Sequence, residues 1–223
     1  MIRRRTIRIL MGALALIIAL AVGAQGTANA VGSSRHHKTQ DGIYLAVEQR
    51  ELHMRTYQPL DSSPMSRDVF LGGKTRATIK GPRGTLIQGA TFESGYQVGY
   101  PVSFAASGVS ITLSTPSLSV GGNINIKAPT PVTPSPVDGG LTATVNVIPA
   151  QTFAFTVEHG GIKTVPLVKG AMGQPLAYAD FAGVQMIVKA AVGPVTIRQY
   201  TKMTVRTSAG SSEVVTYGPA WKV

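Results

Sequence analysis

The chain has 223 residues, a formal net charge of +11, no cysteine and only 6% aromatic residues. This length allows one domain or at most two, and the low charged fraction of 14% is not typical of a disordered chain. Without cysteine there is no disulfide scaffold, thiolate zinc site, iron–sulfur cluster or cysteine nucleophile. The 25 glycines and the frequent turn signals favour an all-β fold over a helical bundle.

Residues 1–30 have the organisation of a cleavable signal peptide. Four arginines precede an apolar run from Ile9 to Val22, and small residues follow up to Ala30. The run has 14 residues, whereas a membrane-spanning helix needs roughly 20. We therefore expect export with cleavage after Ala30, which lowers the formal net charge from +11 to +7. The remaining cations are scattered, so no nucleic-acid partner is expected.

Two segments before residue 80 are predicted not to be strands. Residues 31–39 are expected to be an unstructured tail, in which His36 and His37 have no third ligand for a metal ion. A short helix is predicted between Ser63 and Gly72, because Ser63 can cap it, Pro64 suits the first helical position and Gly72 can stop it.

Most of the other segments alternate between apolar and polar residues and are separated by turns. This pattern predicts a β-sandwich. The predicted strands are residues 85–97, 152–157, 184–191, 195–207 and 214–217.

The segment from Tyr100 to Pro149 has the longest alternation in the chain. Apolar residues such as Val109, Ile111 and Leu113 alternate with hydroxyl residues that include no charge, and the phase changes at Gly108. A turn is predicted at residues 121–123, after which the alternation resumes. The segment is therefore expected to form one long hairpin.

The first arm of this hairpin is long for a sandwich strand. Its 21 residues from Tyr100 to Val120 would extend roughly 70 Å, whereas most strands have 3 to 10 residues. That reach favours a membrane barrel, with two successive sandwich strands separated at Gly108 as the alternative. Because two strands cannot close a barrel, several copies would have to combine their hairpins.

No constellation for catalysis is recognisable in the sequence. The chain has no Gly-x-Ser-x-Gly elbow, phosphate loop, His-Glu-x-x-His motif or calcium loop. We therefore expect no enzymatic activity, no cofactor and no resident metal.

Several motifs spread over the expected mature chain stand out. They are Pro59-Leu60-Asp61, residues 66–70, 73–77 and 81–82, Gly95-Tyr96-Gln97-Val98-Gly99-Tyr100-Pro101, Ser114-Thr115-Pro116, and Val214-Val215-Thr216-Tyr217-Gly218-Pro219-Ala220-Trp221. In these motifs the sequence resembles the MspA-type porins of mycolic-acid-containing actinobacteria. The resemblance implies a goblet-shaped octamer in the outer mycolate membrane, with a rim of β-sandwich domains and one sixteen-stranded barrel. Such a channel admits small hydrophilic solutes and ions by passive diffusion.

The resemblance also divides the chain into functional parts. Residues 31–95 and 150–223 are expected to form the rim domain, and residues 96–149 the transmembrane hairpin. The hydroxyl residues expected to line the pore are Ser103, Ser107, Ser110, Thr112 and Ser114. The aromatic residues expected at the membrane interface are Tyr96, Tyr100 and Phe104.

The expected hairpin tip differs from that of the best-known member of the family, which carries adjacent aspartates and favours cations. The corresponding residues here, which contain no acid, are Gly121, Gly122, Asn123, Asn125 and Lys127. We expect a neutral or weakly cationic constriction, with one Lys127 from each copy in a ring. The alternative is that Lys127 is solvated below the barrel or extends toward lipid headgroups.

Two other functions remain open from the sequence. A secreted, monomeric β-sandwich binding module of the cell wall would keep the hairpin folded against the sandwich. An accessory porin subunit would assemble only with a paralogue. In the favoured hypothesis the partners are further copies of the chain or a paralogue, outer-membrane lipids, and the permeating solutes and ions.

Overall fold

The computed structural model describes residues 31–82, 86–101, 108–122, 124–126, 143–144, 147–158 and 160–223. Over these residues the fold is all-β, with antiparallel pairing throughout and no helix. The strands are β1 (Val31–Lys38), β2 (Tyr44–Tyr57), β3 (Arg67–Lys80), β4 (Ile87–Tyr100), β5 (Val109–Thr115), β6 (Leu118–Gly121), β7 (Ile124–Ile126), β8 (Ala143–Thr144), β9 (Val147–Ile148), β10 (Gln151–Val157), β11 (Gly161–Met172), β12 (Leu176–Lys189), β13 (Thr196–Thr207), β14 (Gly210–Tyr217) and β15 (Trp221–Lys222).

The strands form two sheets. Sheet A has the order β1-β2-β3-β12-β5-β10, with β6 paired to β12 and β9 paired to β6. Sheet B has the order β14-β13-β4-β11-β7-β8, with β15 paired to β13. The expected all-β class is confirmed.

The two sheets contribute to one hydrophobic core. Leu45, Leu71 and Phe181 from sheet A and Phe92 and Met203 from sheet B are all at most 1% exposed. Each such side chain contributes roughly 1.5–3 kcal/mol by leaving water. The alternating burial along β12 and β13 has the period of two expected for strands with one buried face. The core therefore fixes which face of each strand points outward.

The prediction that residues 31–39 are unstructured is wrong. Residues 31–38 form β1, an edge strand that pairs with β2 from Lys38↔Tyr44 to Val31↔Leu52. Residues 34–38 are exposed and polar, so backbone pairing rather than a buried apolar face holds this strand. His36 stacks on Tyr44, with 5.7 Å between the ring centroids.

The predicted helix between Ser63 and Gly72 is also wrong. Residues 59–66 form turns, in which Ser62 N–H donates to the Pro59 carbonyl and Ser63 N–H donates to the Asp61 carboxylate. Arg67 then begins β3, which pairs with β2 on one side and with β12 on the other. Pairing of β3 on both sides outweighs a local capping signal, because helix propensity is a weak preference that tertiary context overrides.

The single long strand expected from Tyr100 to Val120 is not present. β4 ends at Tyr100, and β5 begins at Val109 in the other sheet, as in the alternative of two successive sandwich strands. The turn after Gly121 then carries the chain from sheet A to sheet B rather than closing a hairpin, since β6 pairs with β12 and β7 pairs with β11. Within the expected hairpin, β6 of the first arm pairs with β9 of the second at Leu118↔Ile148 and Ser119↔Val147. β5 pairs instead with β10, which lies just beyond the expected hairpin.

Residues 1–30, with the expected signal peptide, lie outside the described residues. In the described part of the chain no helix has the length and apolarity to cross a membrane.

Candidate functional site

The hydroxyl residues expected to line a pore lie on one face of β5. Ser110 is exposed, and Thr112 and Ser114 are half-buried on the same outward face of sheet A. Ser114 Oγ lies 3.4 Å from Thr152 Oγ1 on the neighbouring β10. Ser103 and Ser107 lie outside the described residues. This face of β5 is uncharged and offers only hydroxyl groups to water.

The opposite face of β5 belongs to the core of the single chain. Val109, Ile111 and Leu113 are all 0% exposed. The neighbouring β10 also carries no charge, and its Phe153 and Phe155 pack against the same core. An apolar face opposite an uncharged hydroxyl face is what a strand between hydrocarbon and a water-filled lumen requires.

β5 lies between two strands of sheet A. It pairs with β12 from Gln185↔Ser114 to Lys189↔Ser110, and with β10 from Gln151↔Thr115 to Val157↔Val109. Among the described residues β10 pairs only with β5, so it forms an edge of sheet A. We call β5 and β10 the stem strands.

The residues of the expected constriction are packed against the sandwich where they are described. Gly121 is buried beneath the ring of Tyr178, its partner on β12, and a Cβ at Gly121 would overlap that ring. Gly122 has φ of 97°, and a Cβ there would overlap the carbonyl oxygen of Leu176. Glycine is required at residue 122, where φ is positive and the obstacle is backbone, whereas at residue 121 the obstacle is the end of the exposed Tyr178 side chain, which can rotate away. Asn125 pairs through its backbone in β7, and Asn123 and Lys127 lie outside the described residues.

Two of the three aromatic residues expected at the membrane interface are core residues instead. Tyr96 is 0% exposed and packs against Phe181, and Tyr100 is 1% exposed. The Tyr100 hydroxyl accepts from Val192 N–H at 3.1 Å and donates to the Val192 carbonyl at 3.3 Å. Both side chains point inward from β4, so neither can contact lipid headgroups. Phe104 lies outside the described residues.

The surface beside the end of β4 carries exposed groups that the sequence did not single out. Arg198 Nε donates to Gln97 Oε1 at 2.9 Å, and its guanidinium lies 4.3 Å from the centroid of the Tyr217 ring. Ile162 is 69% exposed nearby and lines the same shallow cavity of about 480 Å³ as Arg198. These residues are brought together by the pairing of β4 with β11 and with β13. Their spacing in the sequence does not reveal that they are neighbours.

A charged cluster lies further along sheet B. The Glu93 carboxylate accepts from the Tyr200 hydroxyl at 2.9 Å and lies 3.3 Å from Lys169 Nζ and 3.8 Å from Lys202 Nζ. Burial raises the pKa of Tyr200 well above its usual value, and the charge of Glu93 and the hydrogen bond to it raise this pKa further. Tyr200 therefore stays protonated in the folded chain where free tyrosine ionises.

This pKa shift predicts a loss of stability at high pH. Because the pKa of Tyr200 is higher in the folded chain than in the unfolded chain, its contribution to the free energy of unfolding is complete below about pH 10. This contribution declines as the pH rises further. Urea unfolding between neutral pH and about pH 11 should show a steeper decline for the unmodified chain than for Tyr200→Phe. Equal slopes in the two proteins would contradict the assignment. The variant should also be about 1 kcal/mol less stable at neutral pH, because it lacks the hydrogen bond to Glu93.

No constellation for metal chemistry was found in the described part of the chain, where no three His, Asp or Glu side chains are grouped to hold an ion. The candidate functional site therefore consists of two surfaces. One is formed by the stem strands, with their apolar and hydroxyl faces, and the other is the exposed surface beside the end of β4.

Comparison with known proteins gives a consistent family. The chain is 29% identical to porin MspD of Mycolicibacterium smegmatis over 221 residues, which cover 97% of this chain and 99% of MspD. It is 28% identical to porin MspA of the same organism over 223 residues, which cover 97% of each chain, and 27% identical to porin MspB over 180 residues, which cover 80% of this chain and 78% of MspB. The MspA family matches residues 41–222. The resemblance seen in the sequence is thus confirmed, and the chain belongs to the MspA family.

Proposed function

We propose that this chain is an outer-membrane porin, whose copies together form a water-filled channel for passive diffusion of small hydrophilic solutes and ions. The observation that carries this proposal is the family match over residues 41–222, with relatives named as porins aligned over nearly their whole length. These relatives are named as channels rather than as enzymes.

The stem strands support this function. Their hydroxyl side suits a lumen and the apolar side of β5 suits hydrocarbon, and neither strand carries a charge. One chain cannot close a barrel from two such strands, so several copies must contribute. By analogy with the family we propose a goblet-shaped octamer with sixteen strands in its barrel.

The proposed topology places the rim outside the barrel. From the sequence we assign residues 31–95 and 150–223 to the rim and residues 96–149 to the transmembrane hairpin. We propose two adjustments: the rim extends to Tyr100, because β4 continues to that residue in the core, and the hairpin extends to Val157, because β10 pairs with β5 over its whole length. We propose export through the signal peptide of residues 1–30 to the outer mycolate membrane.

The proposed constriction is neutral or weakly cationic. It consists of Gly121, Gly122, Asn123 and Asn125 with a ring of Lys127, one from each copy, and no acid lies among these residues. Charges within a Debye length of about 8 Å set the selectivity of such a ring.

The substitution Lys127→Glu tests the proposed charge of the constriction. The unmodified channel should be non-selective or weakly anion-selective, and the variant should be cation-selective, because each copy replaces a positive charge by a negative one. The measurement is the reversal potential across a planar bilayer with a salt gradient, with Lys163→Glu on β11 of the rim as the control. Clear cation selectivity of the unmodified channel would refute the cationic ring.

One observation favours a second candidate, the secreted monomeric β-sandwich module. The stem strands are folded into sheet A of the single chain, as that function requires. Such a module would remain monomeric and would leave membranes intact.

Extraction of the exported chain with and without detergent, followed by native mass and vesicle permeability measurements, separates the candidates. A porin gives a multimer in detergent that lets small sugars and salts, but not large polymers, cross the vesicle membrane. A persistent monomer that leaves vesicles sealed would refute the porin. Permeability that requires a co-purified relative would identify an accessory subunit.

A further inference from the structure

From this structure, and assuming the proposed porin function, we infer that the stem strands exchange partners on assembly. In the single chain β5 is paired with β12 of its own rim, and in the assembled barrel this edge of β5 pairs with β10 of a second copy. In the single chain, β12 thus occupies the position beside β5 that β10 of a neighbouring copy occupies in the pore.

The position of the stem strands in sheet A permits this exchange. They are its last two strands, in the order β12-β5-β10, so they can leave together with their seven mutual residue pairs intact. Only the ladder between β12 and β5, from Gln185↔Ser114 to Lys189↔Ser110, must open for them. The intervening β6 and β7 are held to β12 and β11 by three residue pairs each.

The two ends of the departing segment leave the rim at one place. β4 ends and β11 begins side by side, with Tyr100 paired to Gly161, and Gly160 N–H donates to the Tyr100 carbonyl at 2.8 Å. Gly108 and Gly160 flank the stem strands with φ of 70° and 68°, in the region that glycine adopts without strain. The ladders of β4 with β11 and β13 can therefore persist while the segment moves.

The side chains of β5 suit both positions. Val109, Ile111 and Leu113 are buried by the sandwich core in the single chain, and the same face would contact hydrocarbon in a barrel wall. Away from the sandwich core and from hydrocarbon, this apolar face would be exposed to water. The stem strands therefore leave the rim favourably only where lipid covers the apolar face of β5. Ser110, Thr112 and Ser114 face water in either position.

The partner that fits the freed edges is a second copy of this chain. β10 already presents an unpaired edge in the described structure, and β5 presents its own once it leaves β12. Pairing β5 of one copy with β10 of the next leaves the same two edges free at the ends, so the addition of copies continues until the sheet closes.

A disulfide between β5 and β12 tests the exchange. The chain has no cysteine, so Thr112→Cys with Ile187→Cys introduces a single thiol pair at residues that are paired and half-buried on the outward face. The oxidised variant should remain monomeric and lose all channel activity in planar bilayers, and reduction should restore both assembly and channels. Thr78→Cys with Leu176→Cys, which links β3 to β12 within the rim, is the matched control and should form channels in either state.

Each other result contradicts either the exchange or the porin function on which it rests. Channels formed equally well by the oxidised and reduced variant would overturn it and leave the porin function intact. Failure of both the Thr112–Ile187 pair and the alternative Ser114–Gln185 pair to oxidise in the monomer, while the control pair oxidises, would show that β5 does not lie on β12. Absence of channels from the unmodified chain would refute the porin function itself.

Discussion

Replacing Gly95 with alanine is expected to destabilise the sandwich strongly. Gly95 lies in β4 opposite Pro166, where a β-bulge interrupts the pairing of β4 with β11. A Cβ at Gly95 would overlap the Val165 carbonyl oxygen and come within 2.9 Å of Leu167 N. These are backbone atoms held in a ladder, so the overlap cannot be relieved by a rotamer change. We expect a loss of about 3 kcal/mol or more in the free energy of unfolding.

Gly89→Ala is the matched control for this substitution. Gly89 lies in the same strand, and a Cβ there would meet nothing within 4 Å. Its effect should stay within about 1 kcal/mol, and its sign can be stabilising because alanine restricts the unfolded chain. Thermal unfolding followed by circular dichroism measures both variants. Equal unfolding temperatures for the two would show that β4 and β11 do not approach as closely as described.

Aspartate at neighbouring positions of β5 is expected to have opposite consequences. Ile111→Asp places an unpaired carboxylate in the core, where Ile111 is 0% exposed, and should cost about 4 kcal/mol or more of folding stability. Thr112→Asp places the same group on the outward face and should cost less than about 1 kcal/mol. If that face lines the pore, one added carboxylate per copy should make the channel cation-selective.

Unfolding and reversal potential together check this pair. We expect that the Ile111→Asp chain fails to fold. The Thr112→Asp chain should fold and shift the reversal potential toward the value of a cation-selective channel. An unchanged reversal potential in Thr112→Asp would place this face outside the lumen. Equal stability of the two variants would contradict the assignment of the faces of β5.

The faces of β5 could be predicted from the sequence, but not what they contact. The alternation from Val109 to Ser114 predicts one apolar and one hydroxyl face, and the structure has both. Hydrocarbon and a protein core impose the same period of two on a strand, so the pattern cannot distinguish them. That is why the alternation predicted one long membrane strand, whereas the single chain uses β5 to cover its own core.

Local signals failed where pairing with distant strands decides the structure. The Ser63-Pro64 signal for a helix lies in turns before β3, and β1 forms although its sequence is polar and basic. Tyr96 and Tyr100 were assigned to the membrane interface from their position near the hairpin, but the inward face of β4 buries both. In each case the missing information is the register of a neighbouring strand.

The strands that were predicted well have strong alternation and clear turns at their ends. β10 and β13 were predicted to within one residue at each end, whereas the predicted strand 214–217 covers only the second half of β14. The resemblance to the MspA-type porins predicted more about the molecule than the alternation of apolar and polar residues did. The glycine at the start of its central motif is Gly95, whose close contact with β11 gives a physical reason for glycine at that position.

The most direct test of the whole account is single-channel recording from the detergent-extracted assembly in a planar bilayer. If several copies close one water-filled barrel, the current must rise in discrete steps of uniform size, and each step must vary with salt concentration as an open aqueous pore does. A bilayer that stays electrically silent with this chain, alone or combined with a related porin, would contradict the account.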